Sequence, residues 1–210
     1  MITIADWIMV AATVVMAMAA LVAVFLDQIR AWFRRPKLDV SISVSPPDCH
    51  KIPLTRTDKP GVVADSYYLR LRVANSGNQK AEMVEVFAAE LSKQQADGTF
   101  KLVESFLPMN LVWSHFRPAK IFVLTFPPDS CKHCDLAHII DPRRRRLFEA
   151  EDRQWDGIPP EKTILSVNTI VKPHSLSHLL PLGTYHLVVL VAAANAKSIR
   201  KTLEILFTGN

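Results

Sequence analysis

The chain has 210 residues and a formal net charge of +5, with 49% hydrophobic and 21% charged residues. This hydrophobic content and low charge density exclude a disordered chain, and the length suits one domain with an appendage. Its three cysteines are too few, and too odd in number, for a disulfide scaffold. Composition therefore bounds the architecture and leaves the function open.

The first feature in chain order is an uncharged apolar run of 20 residues from Trp7 to Leu26. At about 1.5 Å per residue the run spans about 30 Å as a helix, which is the thickness of the hydrocarbon core of a bilayer. Trp7 at one end and Trp32 beyond the other suit the two headgroup interfaces. The sequence predicts one transmembrane helix.

Two alternatives exist for this run, a cleaved signal peptide and the core helix of a soluble domain. A signal peptide carries basic residues before its apolar stretch, and residues 1–6 contain no Lys or Arg. A core helix has a polar face, whereas this run is apolar on every side. We therefore expect a retained single-pass anchor, and Ala17-Met18-Ala19 is the cleavage site that the signal-peptide alternative would use.

Basic residues follow the run and set the expected topology. They are Arg30, Arg34, Arg35 and Lys37. Under the positive-inside rule these residues hold the C-terminal side of the helix in the cytoplasm. We expect residues 1–36 to form the anchor and its basic juxtamembrane segment in a prokaryotic inner or plasma membrane. Residues 37–210 are then a cytoplasmic domain, and the N-terminus lies outside.

Beyond the anchor, apolar and polar residues alternate with a period of two, and no long helical stripe is present. About eight or nine short strands separated by Pro- and Gly-marked turns predict a mainly β fold, an antiparallel β-sandwich, with an irregular insertion near 142–162. The predicted strands are 38–45, 68–73, 82–91, 99–103, 121–126, 134–140, 163–171, 184–193 and 198–207.

Two passages resemble prokaryotic immunoglobulin-like domains of the adhesion and fibronectin-like types. Tyr68–Gly77, followed by Ala81 and Val84, is similar to their passage of a strand, an Asn-x-Gly turn and Ala-x-x-Val. Pro181–Tyr185 resembles the Pro-Gly-x-Tyr start of a late strand, with one residue inserted between Pro and Gly. The resemblance implies an immunoglobulin-like sandwich in which Tyr185 hydrogen-bonds back across a corner, and it implies no activity.

A Cys-x-x-Cys motif with two nearby histidines is the sharpest chemical feature of the chain. Its members are Cys131, His133, Cys134 and His138. The two thiolates are candidate ligands of tetrahedral zinc, with a histidine as the third. Regular zinc sites have two such pairs, so Cys49-His50 would have to complete this one. The alternative, without a cofactor, is that Cys134 packs in the core and Cys131 lies in a loop. A redox dithiol is disfavoured because the motif runs into a strand.

A run of four arginines, Arg143-Arg144-Arg145-Arg146, is typical of segments that contact anionic lipid or nucleic acid. Between Asp141 and Glu161, however, five basic residues face six acidic ones, and the field of the segment decays within about 8–10 Å. No interleaved aromatic residues are present to stack bases, so we do not expect nucleic acid as a partner. The favoured interpretation is a solvated loop that pairs with its own acids.

An apolar, proline-broken passage at Phe106–Trp113 has two interpretations. If exposed, it is a patch for a partner; if buried, it is a crossover with Trp113 as a core anchor, which we favour. The chain contains no Gly-x-Ser-x-Gly, Walker, His-Glu-x-x-His or dinucleotide motif. The adjacency of Ser114 and His115 is no evidence of a catalytic pair. We therefore do not expect an enzyme.

These observations together predict a single-pass, membrane-anchored interaction or structural module at the cytoplasmic face. Its expected partners are the bilayer and another protein or a second copy of the chain. Two alternatives remain open: a zinc-stabilised or zinc-dependent domain built on Cys131 and Cys134, and contact with anionic lipid or nucleic acid through the arginine run.

Overall fold

A computed structural model describes residues 3–209 apart from 57, 59, 62, 117, 149–157 and 160, and for 27–33 it describes the backbone. The chain divides into two compact units, Met1–Arg35 and Pro36–Asn210. The buried apolar side chains of the described residues lie between Leu38 and Phe207. The second unit therefore has a hydrophobic core of its own.

Helix α1 spans Ile4–Phe33. The Asp6 carboxylate accepts hydrogen bonds from the main-chain N and the Oγ1 of Thr3 at 2.7 and 2.8 Å, which closes the first turn as a capping box does. The segment Ile4–Leu26 is long and apolar enough to span a membrane, and no part of its apolar window is buried inside the protein. Trp7, for example, is 65% exposed. The predicted core of the anchor, residues 7–26, lies inside this segment.

Among its described residues, the second unit contains thirteen strands and a one-turn helix. A seven-stranded antiparallel sheet, the first sheet, contains β1 (Leu38–Ser41), β2 (Cys49–Thr55), β3 (Val63–Asn75), β7 (Val112–Trp113), β9 (Ser130–Ile140), β10 (Leu165–Val167) and β11 (Leu179–Leu180). Strand β3 is the central strand of this sheet. Strands β1 and β2 pair with successive halves of one of its edges, and β9 pairs with its other edge.

A six-stranded antiparallel sheet, the second sheet, contains β4 (Ala81–Gln94), β5 (Phe100–Leu102), β6 (Met109–Asn110), β8 (Phe122–Phe126), β12 (Gly183–Ala193) and β13 (Ala196–Phe207). Its central pair is β4 and β12, and β13 lies at one end. Helix α2 (Arg145–Phe148) lies in the predicted insertion. The predicted mainly β class with antiparallel sheets and one N-terminal apolar helix is confirmed.

One hydrophobic core joins the two sheets. Leu71 and Val73 from β3 and Leu187 and Val189 from β12 are fully buried in the same cluster. Their neighbours along each strand are more exposed, because successive side chains of a strand point to opposite faces. The alternation that predicts these strands in the sequence is therefore the alternation that builds the core.

The expected corner hydrogen bond of Tyr185 is present. Its phenol Oη donates to the main-chain oxygen of Pro181 at 2.8 Å, at the start of β12. Gly183 has a φ of 151°, and a Cβ placed on it would lie 3.4 Å from the tyrosine ring. Burial raises the pKa of the Tyr185 phenol, which favours the protonated form that this hydrogen bond needs.

Several predicted strand bounds are wrong, and β2 is absent from the sequence prediction. The strand predicted over 38–45 ends at Ser41, because residues 42–48 leave the sheet and form a loop before β2 begins. Asp48 closes that loop: its Oδ2 accepts from the main-chain N of Ser43 at 2.9 Å, and its own N donates to the oxygen of Ser45 at 3.1 Å. The strand predicted over 163–171 shortens to Leu165–Val167.

The apolar passage Phe106–Trp113 is a buried crossover, as favoured. Leu111 and Trp113 are 0% and 1% exposed, and Phe106 is 6% exposed. Leu107, which is 64% exposed, and Pro108 are the exposed members of the passage. Trp113 belongs to the first sheet and its ring centroid lies 6.4 Å from that of Phe126 in the second, so this passage connects the two sheets through the core.

Candidate functional site

The two cysteines of the Cys-x-x-Cys motif lie on β9, where they face opposite sides of the sheet. Residues three apart in a strand point in opposite directions. Cys134 is fully buried opposite Leu71, and Cys131 is exposed opposite Ala74. Burial, and then the Asp135 carboxylate, raise the pKa of the Cys134 thiol well above its usual value. The structure therefore does not bring these two sulfur atoms together.

The two histidines of the motif have separate polar partners. Nε2 of His133 lies 3.2 Å from Oδ1 of Asp48, and Nδ1 of His138 lies 2.6 Å from Oδ1 of Asn168. The remaining predicted ligands, Cys49 and His50, pair with Leu69 and Tyr68 in the ladder of β2. Among the residues that the structure describes, no group of three or more His, Cys, Asp or Glu side chains is placed to hold a metal ion.

A polar network on β3 and β9 was not predicted from the sequence. Arg70 Nε donates to Oδ1 of Asp135 at 3.0 Å, and the hydroxyl of Ser114 donates to the same oxygen at 2.6 Å. These side chains are largely buried: those of Arg70 and Asp135 are 17% and 20% exposed, and Ser114 is 6% exposed. A carboxylate shielded in this way is stabilised by its hydrogen bonds.

This network joins three neighbouring segments of the sheet. Its members come from β3, from β9 and from the residue that follows β7. The Ser114 hydroxyl donates to Asp135, and the carboxylate of Asp135 is shared with Arg70. In a Ser-His-Asp triad the serine hydroxyl donates to a histidine, whereas here it donates to a carboxylate.

The predicted arginine run is not a uniformly exposed patch, which corrects the expectation of a solvated loop. Arg145 is 2% exposed, and its guanidinium donates to the main-chain oxygens of Lys162 and Pro159 at 2.8 and 3.2 Å. Arg144 donates to the oxygen of Val63 at 2.8 Å. Arg143 and Arg146 are exposed. Arg145 therefore joins the two ends of the insertion, and Arg144 joins the insertion to β3. The buried Arg145 is not available for an anionic partner.

Replacing Arg145 with alanine is expected to lower the free energy of unfolding of residues 36–210 by about 2–3 kcal/mol, because a buried guanidinium and its charged hydrogen bonds to two main-chain oxygens are lost. Urea denaturation followed by circular dichroism measures this loss. Arg143→Ala is the matched control, and we expect it to change stability by less than about 0.5 kcal/mol because Arg143 is exposed. Equal effects of the two substitutions would contradict the structural role of Arg145.

The arginine run and the point where the chain enters the domain lie at opposite ends of β3. The main-chain N of Lys37 donates to Oδ1 of Asn75 at 3.1 Å, at the last residue of the strand. Arg144 contacts Val63, at its first residue. A strand of 13 residues is about 40 Å long. The arginines are therefore far from the segment that leads to the helix.

Two cavities lie on the side of the first sheet that faces the second. One, of about 410 Å³, is lined by Cys49, Lys51, Asp65 and Tyr67 among others, with Lys51 Nζ 2.7 Å from Oδ2 of Asp65. The hydrogen bond to Asp65, with the charge of that group, raises the pKa of Lys51. The other, of about 200 Å³, is almost entirely apolar. Neither contains an arrangement that identifies a reaction.

The chain matches no protein-family model and no curated protein. Among solved structures, it is similar to the X-ray structure of a target of the Northeast Structural Genomics Consortium, with 10% sequence identity over 82% of this chain and 88% of the other. The TM-score of that similarity is 0.30. A similarity at this score does not define the fold, which is described by the strands of this chain and their pairing.

Proposed function

We propose that the protein is a single-pass, membrane-anchored module that holds another protein, or a second copy of itself, at the cytoplasmic face of a prokaryotic inner or plasma membrane. The observation that carries the proposal is the combination of an exposed apolar helix, Ile4–Leu26, with a separate β unit that has its own core. A helix of that length buries its apolar surface in lipid and confines the attached unit to the membrane surface.

Within this proposal, the β unit is an immunoglobulin-like sandwich. Its strand neighbours support that assignment: β1 and β2 pair with β3, which pairs with β9, as strands A, B and E do in that fold. In the other sheet the order β13-β12-β4 corresponds to G-F-C. The hydrogen bond from Tyr185 to the main chain four residues upstream occupies the place of the tyrosine corner, at the start of the F strand.

A binding role fits the chemistry of the polar groups better than a catalytic role. The Asp135 carboxylate is engaged by Arg70 and Ser114, and Asp48 is engaged by Ser43 and His133. Sandwiches of this kind commonly present strand edges and end loops to partners. Site-specific binding can therefore arise from surface strands, without a reactive centre.

The proposal is tested by photo-crosslinking in intact cells with three forms of the chain. The first is the full chain, the second has Ile4–Leu26 replaced by an unrelated apolar helix of equal length, and the third is residues 36–210 alone. We expect discrete crosslinked products with the first two forms. We expect yields at least about tenfold lower with the third, because anchoring raises the effective concentration of the domain near its partner.

Two outcomes would contradict the proposal. One is the absence of discrete crosslinked products from every form, with crosslinkers placed in turn on both sheets and at both ends of the β unit. The other is turnover of a substrate by the purified full chain in an activity screen. Loss of products on exchange of the helix alone would move the interaction from the β unit to the membrane segment.

A further inference from the structure

Strand β13 forms an open edge of the second sheet. It has 12 residues, Ala196–Phe207, and among the described strands it pairs only with β12. Its main-chain groups make no hydrogen bond to another described segment on the far side, although the side chain of Lys201 donates from Nζ to the main-chain oxygen of Val40 in β1 at 2.9 Å. A long edge of this kind presents a row of unpaired main-chain donors and acceptors, which is a template for an added strand.

Most side chains of β13 alternate between the two faces of the sheet, but Lys197 and Lys201, at core-facing positions, are exposed. Leu203 and Phe207 are buried in the core, and Ile199 and Ile205 pack against it. On the outward face are Ser198, Arg200, Thr202, Glu204 and Leu206, which are exposed. In an antiparallel pair, directly opposed residues lie on the same face, so an added strand must match both sets at once.

The sequence of β13 matches itself when two copies run antiparallel about Thr202. In that register Arg200 of each copy lies opposite Glu204 of the other, and this ion pair occurs twice. Ile199 lies opposite Ile205, Ser198 lies opposite Leu206, and Lys201 lies opposite Leu203. Directly opposed opposite charges and apolar pairs each contribute about 0.2–1 kcal/mol relative to Ala–Ala. No like charges are opposed anywhere along the paired strands.

Neighbouring symmetric registers lack this complementarity. Centring the pair on Lys201 or on Arg200 places two like positive charges directly opposite, and centring it on Glu204 opposes two carboxylates, all of which destabilise the pairing. Centring it on Leu203 avoids repulsion but forms no ion pair. If one strand is moved by a single residue, each core-facing side chain of one copy lies opposite an outward-facing side chain of the other. The register about Thr202 is therefore the one that the charges favour.

We propose that two copies of this chain pair through the free edges of β13, antiparallel and centred on Thr202, and so extend the second sheet across a twofold axis. The inference rests on the proposed interaction role and names its partner as a second copy. Arg200 already pairs with Glu90 on the outward face of its own chain. In the dimer its guanidinium lies between that carboxylate and Glu204 of the partner, which gives a charge network across the new edge.

Disulfide trapping of Thr202→Cys in the full chain tests this register directly. The background carries Cys49→Ser and Cys131→Ser and keeps the buried Cys134, and isolated membranes are treated with a mild oxidant. Opposed residues have Cα atoms about 4.5–5.5 Å apart, which is within the range of a disulfide. We expect most of the chain to migrate as a covalent dimer on a non-reducing gel.

Two matched controls separate this pairing from chance collision. Ser198→Cys alone places its two sulfur atoms eight residues apart along the strand, about 26 Å, so we expect little dimer. Ser198→Cys combined with Leu206→Cys restores opposed pairs, and we expect the dimer to return. Equal trapping of Thr202→Cys and Ser198→Cys would overturn the proposal, and so would no trapping of either Thr202→Cys or the double variant.

Charge reversal provides a second, independent measurement. Glu204→Arg opposes two arginines at each ion pair, and we expect at least a fivefold lower yield of the Thr202→Cys dimer. Adding Arg200→Glu restores opposite charges across the interface and is expected to recover most of the yield. An unchanged yield with Glu204→Arg would contradict the register. If no dimer forms while photo-crosslinking to other proteins persists, the β13 pairing fails and the proposed interaction role stands.

Discussion

Replacing Trp113 with alanine is expected to lower the free energy of unfolding of residues 36–210 by about 3–5 kcal/mol, the usual range for deleting a large buried aromatic side chain. Trp113 is 1% exposed, and its ring contacts Phe126 of the other sheet. Its loss therefore opens a cavity where the two sheets meet. Because a domain of this size is stable by about 5–15 kcal/mol, the loss is a large share of the total.

Two further substitutions make this measurement specific. Leu107→Ala lies in the same passage at a residue that is 64% exposed, and we expect a change within about 0.5 kcal/mol. Trp113→Phe keeps most of the aromatic volume and removes an indole N–H that has no hydrogen-bond partner among the described residues. It should therefore cost much less than the alanine variant. Equal costs for Trp113→Ala and Leu107→Ala in urea denaturation would contradict the buried crossover.

The strands with one face in the core are the ones that the sequence predicts well. In β12 every second residue from Tyr185 to Val191 is buried, and in β13 Ile199, Leu203, Ile205 and Phe207 face the core. The predicted ranges 184–193 and 198–207 nearly match the observed ones. Strand β2 carries no such signal. Cys49–Thr55 contains Pro53, has no fully buried residue and holds its place by pairing with β3. A strand defined by its neighbour cannot be identified from its own residues.

The candidate site was harder to predict, because its contacts join distant parts of the chain. Arg70 and Asp135 are 65 residues apart, and Asp48 and His133 are 85 residues apart. The only local signal for Arg70 was its place on the polar face of an alternating strand. Conversely, the Cys-x-x-Cys spacing indicates zinc only when a turn brings both sulfur atoms to one side. On the extended β9, the same spacing separates them.

The arginine run illustrates why composition alone misjudges a cluster of charges. From Asp141 to Glu161 there are five basic and six acidic residues, which lowers the expected long-range attraction between this segment and anions. This count cannot reveal that Arg145 is buried and donates to two carbonyl oxygens, since those carbonyls belong to Pro159 and Lys162, more than ten residues away. Part of the acidic partner set that the sequence suggested, within 149–157, lies outside the described residues.

The orientation of the chain in the membrane can be measured by thiol labelling, and we expect a large difference in labelling between intact and permeabilised cells. The side chains of Arg34, Arg35 and Lys37 are exposed beyond the apolar segment, and residues 1–6 contain no Lys or Arg. Under the positive-inside rule we expect these charges to hold residues 36–210 in the cytoplasm. Moving each charge outward would also oppose the membrane potential by about 2.3 kcal/mol per 100 mV. We therefore expect the three cysteines to lie inside the cell.

A membrane-impermeant maleimide measures this expectation in intact and in permeabilised cells. Cys131 is exposed, whereas burial raises the pKa of the thiols of both Cys49 and Cys134, most strongly at Cys134. Because the thiolate is the reactive form, labelling after permeabilisation should occur mainly at Cys131, and Cys131→Ser should remove most of it. Intact cells should give almost no labelling.

The control for reagent access is Thr3→Cys in the Cys131→Ser background. Thr3 lies at the start of α1, on the side predicted to face outward, so its cysteine should be labelled in intact cells as strongly as after permeabilisation. Strong labelling of Cys131 in intact cells would reverse the topology. The proposed partner would then lie outside the cell, where β13 pairing is still possible, whereas Cys131 would be exposed to an oxidising compartment.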